Sequence, residues 1–195
     1  MLVLGESARL NVFIVINKSD LGTDEAEIWS EMYRRIGYKV FLVSALYNSG
    51  TKEVFDHLRD KKNLFLGHSG VGKSSLINVM FPHLNLKTGE ISSFTDKGTH
   101  TTVTSVMIKV NESTYIVDSP GLREIEPYGI KKEDLGHYFL EFLPFINKCR
   151  FNTCTHFHEP ECAVIAAVEN AVISQERYGS YLRMLETIEE DIIFQ

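Results

Sequence analysis

"GHSGVGKS", residues 67–74, lies between the apolar stretch "NLFLG" (63–67) and the helix-like stretch "KSSLINVMF" (73–81). It matches the pattern G-x-x-x-x-G-K-S/T of phosphate-binding loops. In such loops the glycines turn backbone N–H groups towards phosphate oxygens, the lysine supplies a cation, and the serine offers a hydroxyl to Mg²⁺. The stretch therefore predicts a nucleotide site. Its predicted contacts are Gly67, Ser69, Gly70, Val71, Gly72, Lys73, Ser74 and Ser75, with Lys73 also catalytic and Ser74 also a magnesium ligand.

Strand-like and helix-like stretches alternate on both sides of this loop. Short apolar runs at 11–16 and 38–45 are typical of buried parallel strands, and helical periodicity follows each of them at 23–37 and 50–60. Further on, "TSVMIKV" (104–110) and "TYIVDS" (114–119) predict a hairpin around "NES". The β-α-β-α-β-α rhythm predicts an α/β domain with a parallel sheet.

"NKSD", residues 17–20, ends the first apolar run and predicts the site that recognises the base. The Asp20 carboxylate can accept two hydrogen bonds from the N1 and N2 amino groups of guanine. Adenine lacks this donor pair, so a buried carboxylate would stay unpaired against it. The other predicted base contacts are Asn17 at the N7 edge, Lys18 over the ring, and Ser44 and Ala45 of "SAL" as a backbone cradle for the guanine carbonyl. GTP and GDP are the ligands that this set predicts.

"DSPG", residues 118–121, ends the strand-like stretch "TYIVD". At that place the Asp118 carboxylate can reach the Mg²⁺ shell through water, and the Gly121 N–H can meet a γ-phosphate. These four pieces, with a switch segment before "DSPG", resemble the G motifs of Ras-like GTPases. Their order along this chain is base, cradle, phosphate loop, switch, metal. The fold class predicted is therefore α/β, a circularly permuted Ras-like P-loop GTPase domain.

Two further catalytic residues are predicted in "GTHTT" (98–102). Thr102 is the predicted switch threonine for Mg²⁺ and the γ-phosphate, with Thr101 as the alternative. Leu122 occupies the position of the catalytic glutamine of Ras-like enzymes. Since an imidazole can orient a water molecule at neutral pH, His100 is the candidate to position the attacking water.

Three cysteines and a histidine form the pattern C-x4-C-x-H-x5-C: Cys149, Cys154, His156 and Cys162. Three thiolates and an imidazole make a closed tetrahedral set for one structural Zn²⁺. Spacing alone leaves His158 as an alternative fourth ligand. A metal here would hold together a segment too small to fold by itself, so a helical zinc-binding domain is predicted at 126–195, after a GTPase domain at 1–125.

Charge, apolar runs and cysteine content bear on the partners and the location of the protein. The chain has 195 residues, a formal net charge of −6 and a pI of about 5.6, so bulk charge does not indicate a nucleic-acid binder. No signal peptide or apolar run of membrane-spanning length is visible, and the odd, clustered cysteines argue against a disulfide framework. We expect a cytoplasmic monomer with neither DNA nor a membrane as partner.

The whole pattern resembles the circularly permuted small-subunit ribosome-biogenesis GTPases (RsgA/YjeQ-like). The resemblance rests on "GHSGVGKSSLIN", "TGEIS", "GTHTT", "DSPGLREI", the cysteine spacing with "EPECAV", and "RYGSYLRML". It implies GTP hydrolysis coupled to late maturation of the small (30S) subunit, turnover stimulated by that subunit and its rRNA, and His156 as the zinc ligand. Thr99 departs from the arginine usual in the family. Alternatives are another permuted GTPase of ribosome assembly, or a GTP-dependent ribosome-binding module with negligible hydrolysis, which Leu122 favours.

A Ras-like sheet has six strands, whereas five are predicted here, at 11–16, 38–44, 63–67, 104–110 and 114–118. The sixth belongs between the phosphate-loop strand and the base-reading strand. Leaving that position empty would strip hydrogen-bond partners from two buried strands. We expect the intact protein to continue N-terminally with a strand, the start of a helix and an OB-fold, a domain that such proteins carry.

Overall fold

The computed structural model describes residues 1–86, 106–118 and 129–188. The chain divides into two compact units. The first, here called the central unit, is Phe13–Glu124; the second, the terminal unit, combines Met1–Val12 with Ile125–Gln195. The sequence placed residues 1–12 with the GTPase domain, whereas the structure groups them with the C-terminal segment. The reason is helix α1 (Leu2–Ser7), whose Val3 is buried in the core of the terminal unit.

Within residues 13–86 and 106–118, five short strands form the sheets of the central unit, at the positions that the sequence predicted. Strands β1 (Phe13–Ile16) and β2 (Lys39–Leu42) pair in parallel. The other three are β3 (Lys62–Phe65), β4 (Val106–Lys109) and β5 (Tyr115–Asp118), in the order β3-β5-β4. β3 and β5 run parallel, and β4 and β5 form the predicted antiparallel hairpin.

Backbone pairing is interrupted between the two sheets. Among the described strands, β1 is hydrogen-bonded only to β2, and β3 only to β5. The interruption therefore falls between β3, which precedes the phosphate loop, and β1, which precedes "NKSD", the position of the expected sixth strand.

Three helices of the central unit follow their strands. They are α2 (Thr23–Ile36), α3 (Thr51–Leu58) and α4 (Lys73–Met80). α2 has acidic residues in its first turn and arginines in its last, which suits the helix dipole, and it ends at Gly37 in a left-handed conformation with φ of 116°. The core of this unit joins strands to α3 and α4 through Val43, Val54, Leu58, Leu76, Ile77, Phe81 and Ile116. Because both sheets share this core, the carboxyl ends of their strands are fixed in place.

The terminal unit is helical, as predicted. Besides α1 it contains α5 (Lys132–Leu135), α6 (Leu143–Ile146), α7 (Ala163–Glu169) and α8 (Gln175–Thr187). Its core includes Leu135, Phe139, Phe142, Val164, Tyr181 and Leu185, together with Cys154 and Cys162. One face of α8 packs into this core, because Tyr181 and Leu185 are buried, as is Ile188 directly after the helix.

A buried ion pair lies inside the terminal unit. Arg177 of α8 donates from Nε to Glu141 Oε1 at 2.6 Å, and its guanidinium lies 4.8 Å from the ring centre of Phe139. Within the described part of the chain, no helix has both the length and the apolar character needed to cross a membrane.

Candidate functional site

The phosphate loop connects β3 to α4 in the central unit. Gly70 and Gly72 take left-handed φ values of 80° and 90°, and Gly72 is the N-cap of α4. A Cβ at Gly72 would collide with the Asn17 side-chain amide, so glycine is needed there for space as well as for φ. Lys73 Nζ donates to the carbonyls of Gly67 at 2.5 Å and His68 at 2.9 Å. The loop thus holds its lysine at the helix N-terminus, the end of a helix that attracts anions.

Asn17 joins three loops that are distant in sequence. Its Nδ2 donates to the Val71 carbonyl at 3.1 Å, and its Oδ1 accepts from the Ala45 N–H at 3.0 Å. Lys18, in a left-handed conformation with φ of 64°, donates from Nζ to the Gly70 carbonyl at 2.7 Å. The predicted base loop, cradle and phosphate loop are therefore brought together.

The Asp20 carboxylate, which is predicted to read the base, has a partner that the sequence did not indicate. Ser44 Oγ donates to Asp20 Oδ1 at 2.5 Å and accepts from the Tyr47 N–H at 3.2 Å. Ser44 and Ser49 also exchange two backbone hydrogen bonds of 3.0 Å, which close the cradle turn. Ser44 therefore orients the Asp20 side chain, a role beyond the backbone cradle predicted for it.

The last described residue of β5 lies beside the residue that ends β3. Phe65 and Asp118 are partners in the β3–β5 register, so the strand that precedes the phosphate loop and the strand that precedes the rest of "DSPG" end at the same edge of the sheet. Ser74 is buried in the first turn of α4, and Ser75 follows it there half-buried. The predicted residues His100, Thr101, Thr102, Gly121 and Leu122 lie outside the described residues.

The second candidate site is the cysteine cluster of the terminal unit. The ligand atoms of Cys149, Cys154, His156 and Cys162 all lie within 4.8 Å of one another. Cys149 Sγ and Cys162 Sγ are 3.9 Å apart, and both are near His156 Nδ1, at 3.6 and 3.5 Å. Zn–S bonds of about 2.3 Å at tetrahedral angles put two sulfurs about 3.8 Å apart. The four residues thus fit a zinc-binding site, and His156 rather than His158 belongs to it.

Packing holds His156 in place. It is 2% exposed, its φ is 54°, and a Cβ at Gly136 would lie 2.9 Å from its ring atoms Cδ2 and Nε2. The Tyr178 hydroxyl donates to the His156 carbonyl at 2.7 Å. The ring is therefore closely packed on its Nε2 side, and its Nδ1 faces the sulfurs.

Burial also sets the protonation of the cluster. It raises the pKa of Cys154 to about 12 and raises that of Cys162, while it lowers the pKa of His156. In the metal-free protein the thiols of Cys154 and Cys162 are therefore protonated at neutral pH, beside a neutral imidazole. A metal ion that binds there must displace the thiol protons, as structural zinc does.

Known proteins match the chain along almost its whole length. Two curated relatives, from Phocaeicola vulgatus and Chlorobaculum parvum, are both called "Small ribosomal subunit biogenesis GTPase RsgA". They are each 45% identical over 97% of this chain, which covers 62% and 61% of their own lengths. The chain thus spans about three fifths of the curated relatives that it matches.

Two solved structures share the fold. "YjeQ from Thermotoga maritima" matches 95% of this chain and 62% of its own with a TM-score of 0.77 and 37% identity. YloQ, described as a circularly permuted GTPase, matches 95% of this chain and 59% of its own with a TM-score of 0.72 and 31% identity. The α/β fold is thus that of a circularly permuted GTPase, which confirms the prediction from motif order. The family model for RsgA GTPase matches residues 1–127, and the chain therefore belongs to the RsgA GTPase family.

Proposed function

We propose that this protein binds and hydrolyses GTP, releases GDP and phosphate, and acts in late maturation of the small ribosomal subunit. One observation carries the nucleotide site: Asn17 bonds to both the phosphate loop and the cradle, although these are 54 and 28 residues away in sequence. The link between base-reading and phosphate-binding loops is what a guanine nucleotide site needs. The names of the curated relatives support the role in ribosome assembly.

The geometry of the described residues supports the roles proposed for Asp20 and Lys73, and the sequence motifs support the others. Asp20, oriented by Ser44, accepts from the guanine N1 and N2 groups, and the base is thereby distinguished from adenine. On binding, Lys73 exchanges carbonyl partners for the β- and γ-phosphate oxygens at the N-terminus of α4. Thr102 and Gly121 are proposed γ-phosphate contacts, and His100 is proposed to orient the attacking water.

Magnesium and zinc have separate proposed positions. Ser74, Asp118 and Thr102 offer the oxygen donors that Mg²⁺ prefers, and bound Mg²⁺ neutralises charge on the phosphates. Cys149, Cys154, His156 and Cys162 would hold one structural Zn²⁺ as a closed set of soft ligands. A Zn²⁺ held by these four residues would crosslink the segment 149–162 of the terminal unit.

The proposed partners are the small ribosomal subunit and its rRNA. Since ribosomes are assembled in the bacterial cytoplasm, we place the protein there, as a monomer and without DNA or a membrane as partner. Hydrolysis of GTP and of ATP, with and without purified small subunits, tests the proposal. GTP turnover that rises with small subunits, with ATP inert, is expected, while equal use of both nucleotides would contradict it.

A second candidate is a GTP-dependent ribosome-binding module with negligible hydrolysis. Leu122, apolar at the position of the Ras-like catalytic glutamine, favours it. One experiment distinguishes the enzyme from the binding module. Co-sedimentation with small subunits that depends on GTP, without any phosphate release, would support the module. Phosphate release stimulated by subunits would support the enzyme.

A further inference from the structure

The backbone of the metal-binding loop is held from two sides. On one side, the hydroxyls of Tyr181 and Tyr178 in α8 donate to the carbonyls of Thr155 and His156 at 2.6 and 2.7 Å. Burial raises the pKa of both phenols, so they remain hydrogen-bond donors. On the other side, four donors of residues 155–158 converge on one carboxylate, that of Glu159.

Both Glu159 oxygens accept two hydrogen bonds each. Oε1 accepts from the Thr155 N–H and hydroxyl, both at 2.6 Å, and Oε2 accepts from the N–H groups of Phe157 and His158 at 3.0 and 3.2 Å. Burial disfavours the charged carboxylate, but these hydrogen bonds outweigh it and hold the pKa of Glu159 down at about 2. Charge-assisted bonds of this kind are the strong ones in proteins.

The turn that Glu159 closes contains one candidate ligand, His156, in a left-handed conformation that is uncommon for residues other than glycine. Such a conformation persists only when the surroundings fix it. The carboxylate fixes the residues on both sides of His156, Thr155 and Phe157, through their N–H groups. Glu159 itself is not among the four residues whose donor atoms lie together.

We propose that Glu159 is a positioning residue of the zinc centre: its carboxylate closes the turn of residues 155–158 and thereby points His156 Nδ1 at the three sulfurs. This inference rests on the proposed zinc site. This positioning role of Glu159 differs from a contribution to the overall stability of the fold. Because the turn carries a ligand, loss of its hydrogen bonds to Glu159 should lower metal affinity more than the stability of the metal-free chain.

Zinc affinity is measured on the purified, reduced chain by competition with a chromophoric chelator. The variants are Glu159→Gln, Glu159→Asp and the matched control Glu161→Gln, an exposed glutamate of the same loop that pairs with Arg150. In Glu159→Gln an amide NH₂ would face backbone N–H donors. Zinc affinity should fall about 10- to 100-fold, the usual effect of losing a partner that orients a ligand. Glu159→Asp should recover part of the loss, and the control should match wild type.

A second readout separates positioning from stability. The Co²⁺-substituted protein reports ligand geometry through its visible absorption, which should change in Glu159→Gln and not in Glu161→Gln. Wild-type zinc affinity in Glu159→Gln, together with an equal fall in the melting temperature of the metal-free and zinc-loaded forms, would overturn the proposal. If the wild-type protein binds no zinc, the proposed zinc site is itself wrong, and so is the positioning role of Glu159.

Discussion

The two candidate sites are built in opposite ways. In the central unit, the functional groups come from loops at the ends of different strands, and hydrogen bonds such as Asn17 to Val71 join positions 54 residues apart. In the terminal unit, all four ligands lie within residues 149–162, and Cys154, His156 and Cys162 are buried. The residues of the nucleotide site come together only because the sheet folds, whereas the four residues of the metal site are already close in sequence. The elements of the nucleotide site can therefore occur in a different order along the chain, whereas the residues of the metal site have to stay within one short segment.

The largest expected effect is loss of the metal ligands, which tests whether the two sites are independent. In Cys154→Ser the zinc site loses one thiolate, and apparent zinc-binding energies of about 10–16 kcal/mol in small zinc domains show how much folding energy depends on the full set. The segment after about residue 145 should lose its protection from amide hydrogen exchange. Affinity for a fluorescent GDP analogue should stay within about threefold, because its contacts lie in the central unit. A large loss of GDP affinity would show that the sites are coupled.

Asp20→Asn tests the nucleotide site alone. Two charge-assisted hydrogen bonds to guanine are lost at about 1.5 kcal/mol each, so GTP affinity should fall about 100-fold. Xanthosine triphosphate, which presents an acceptor where guanine presents the N2 amino group, should bind the variant better than GTP. Competition titration measures both affinities. Unchanged GTP binding would mean that "NKSD" does not read the base.

Gly72→Ala tests the close approach of Asn17 to the phosphate loop, with Gly70→Ala as the matched control. Both glycines have left-handed φ values, which cost other residues about 1–2 kcal/mol. Only at Gly72 would the new Cβ meet the Asn17 amide; at Gly70 nothing lies within 4 Å. Denaturant unfolding should therefore show a larger loss of stability for Gly72→Ala than for Gly70→Ala. Equal losses would mean that Asn17 moves aside freely.

The smallest expected effect concerns Glu161, which has a left-handed φ of 58° in the metal-binding loop. Its pair with Arg150 is exposed and contributes little. Glu161→Gly and Glu161→Ala both lose this pair, but only glycine relieves the backbone. The glycine variant should be more stable than the alanine variant by about 1 kcal/mol in thermal unfolding of the zinc-loaded chain. The reverse order would show that the loop does not keep this conformation in solution.

Sequence reasoning predicted the parts of both sites better than the contacts between them. Apolar runs before "NKSD", "SAL" and "GHSGVGKS" located the strands, because a strand and its loop are local properties of the chain. The hydrogen bond from Ser44 to Asp20 and those of Asn17 to the other two loops were not predicted, since they depend on how loops from different strands meet. Glu159 was missed for a similar reason: hydrogen bonds to N–H groups leave no spacing signature. The assignment of Val3 to the terminal core depends on partners more than a hundred residues away.

That position of Val3 has a kinetic consequence. Helix α1 is synthesised before the central unit, whereas the core that buries it is completed by α7 and α8, which are synthesised last. Contacts between residues this far apart in sequence form slowly, because a long stretch of chain must be ordered or looped out first. We therefore expect the central unit to fold early, domain by domain as the chain emerges. Docking of α1 would then be a late event, and refolding experiments should show it as a separate slow phase.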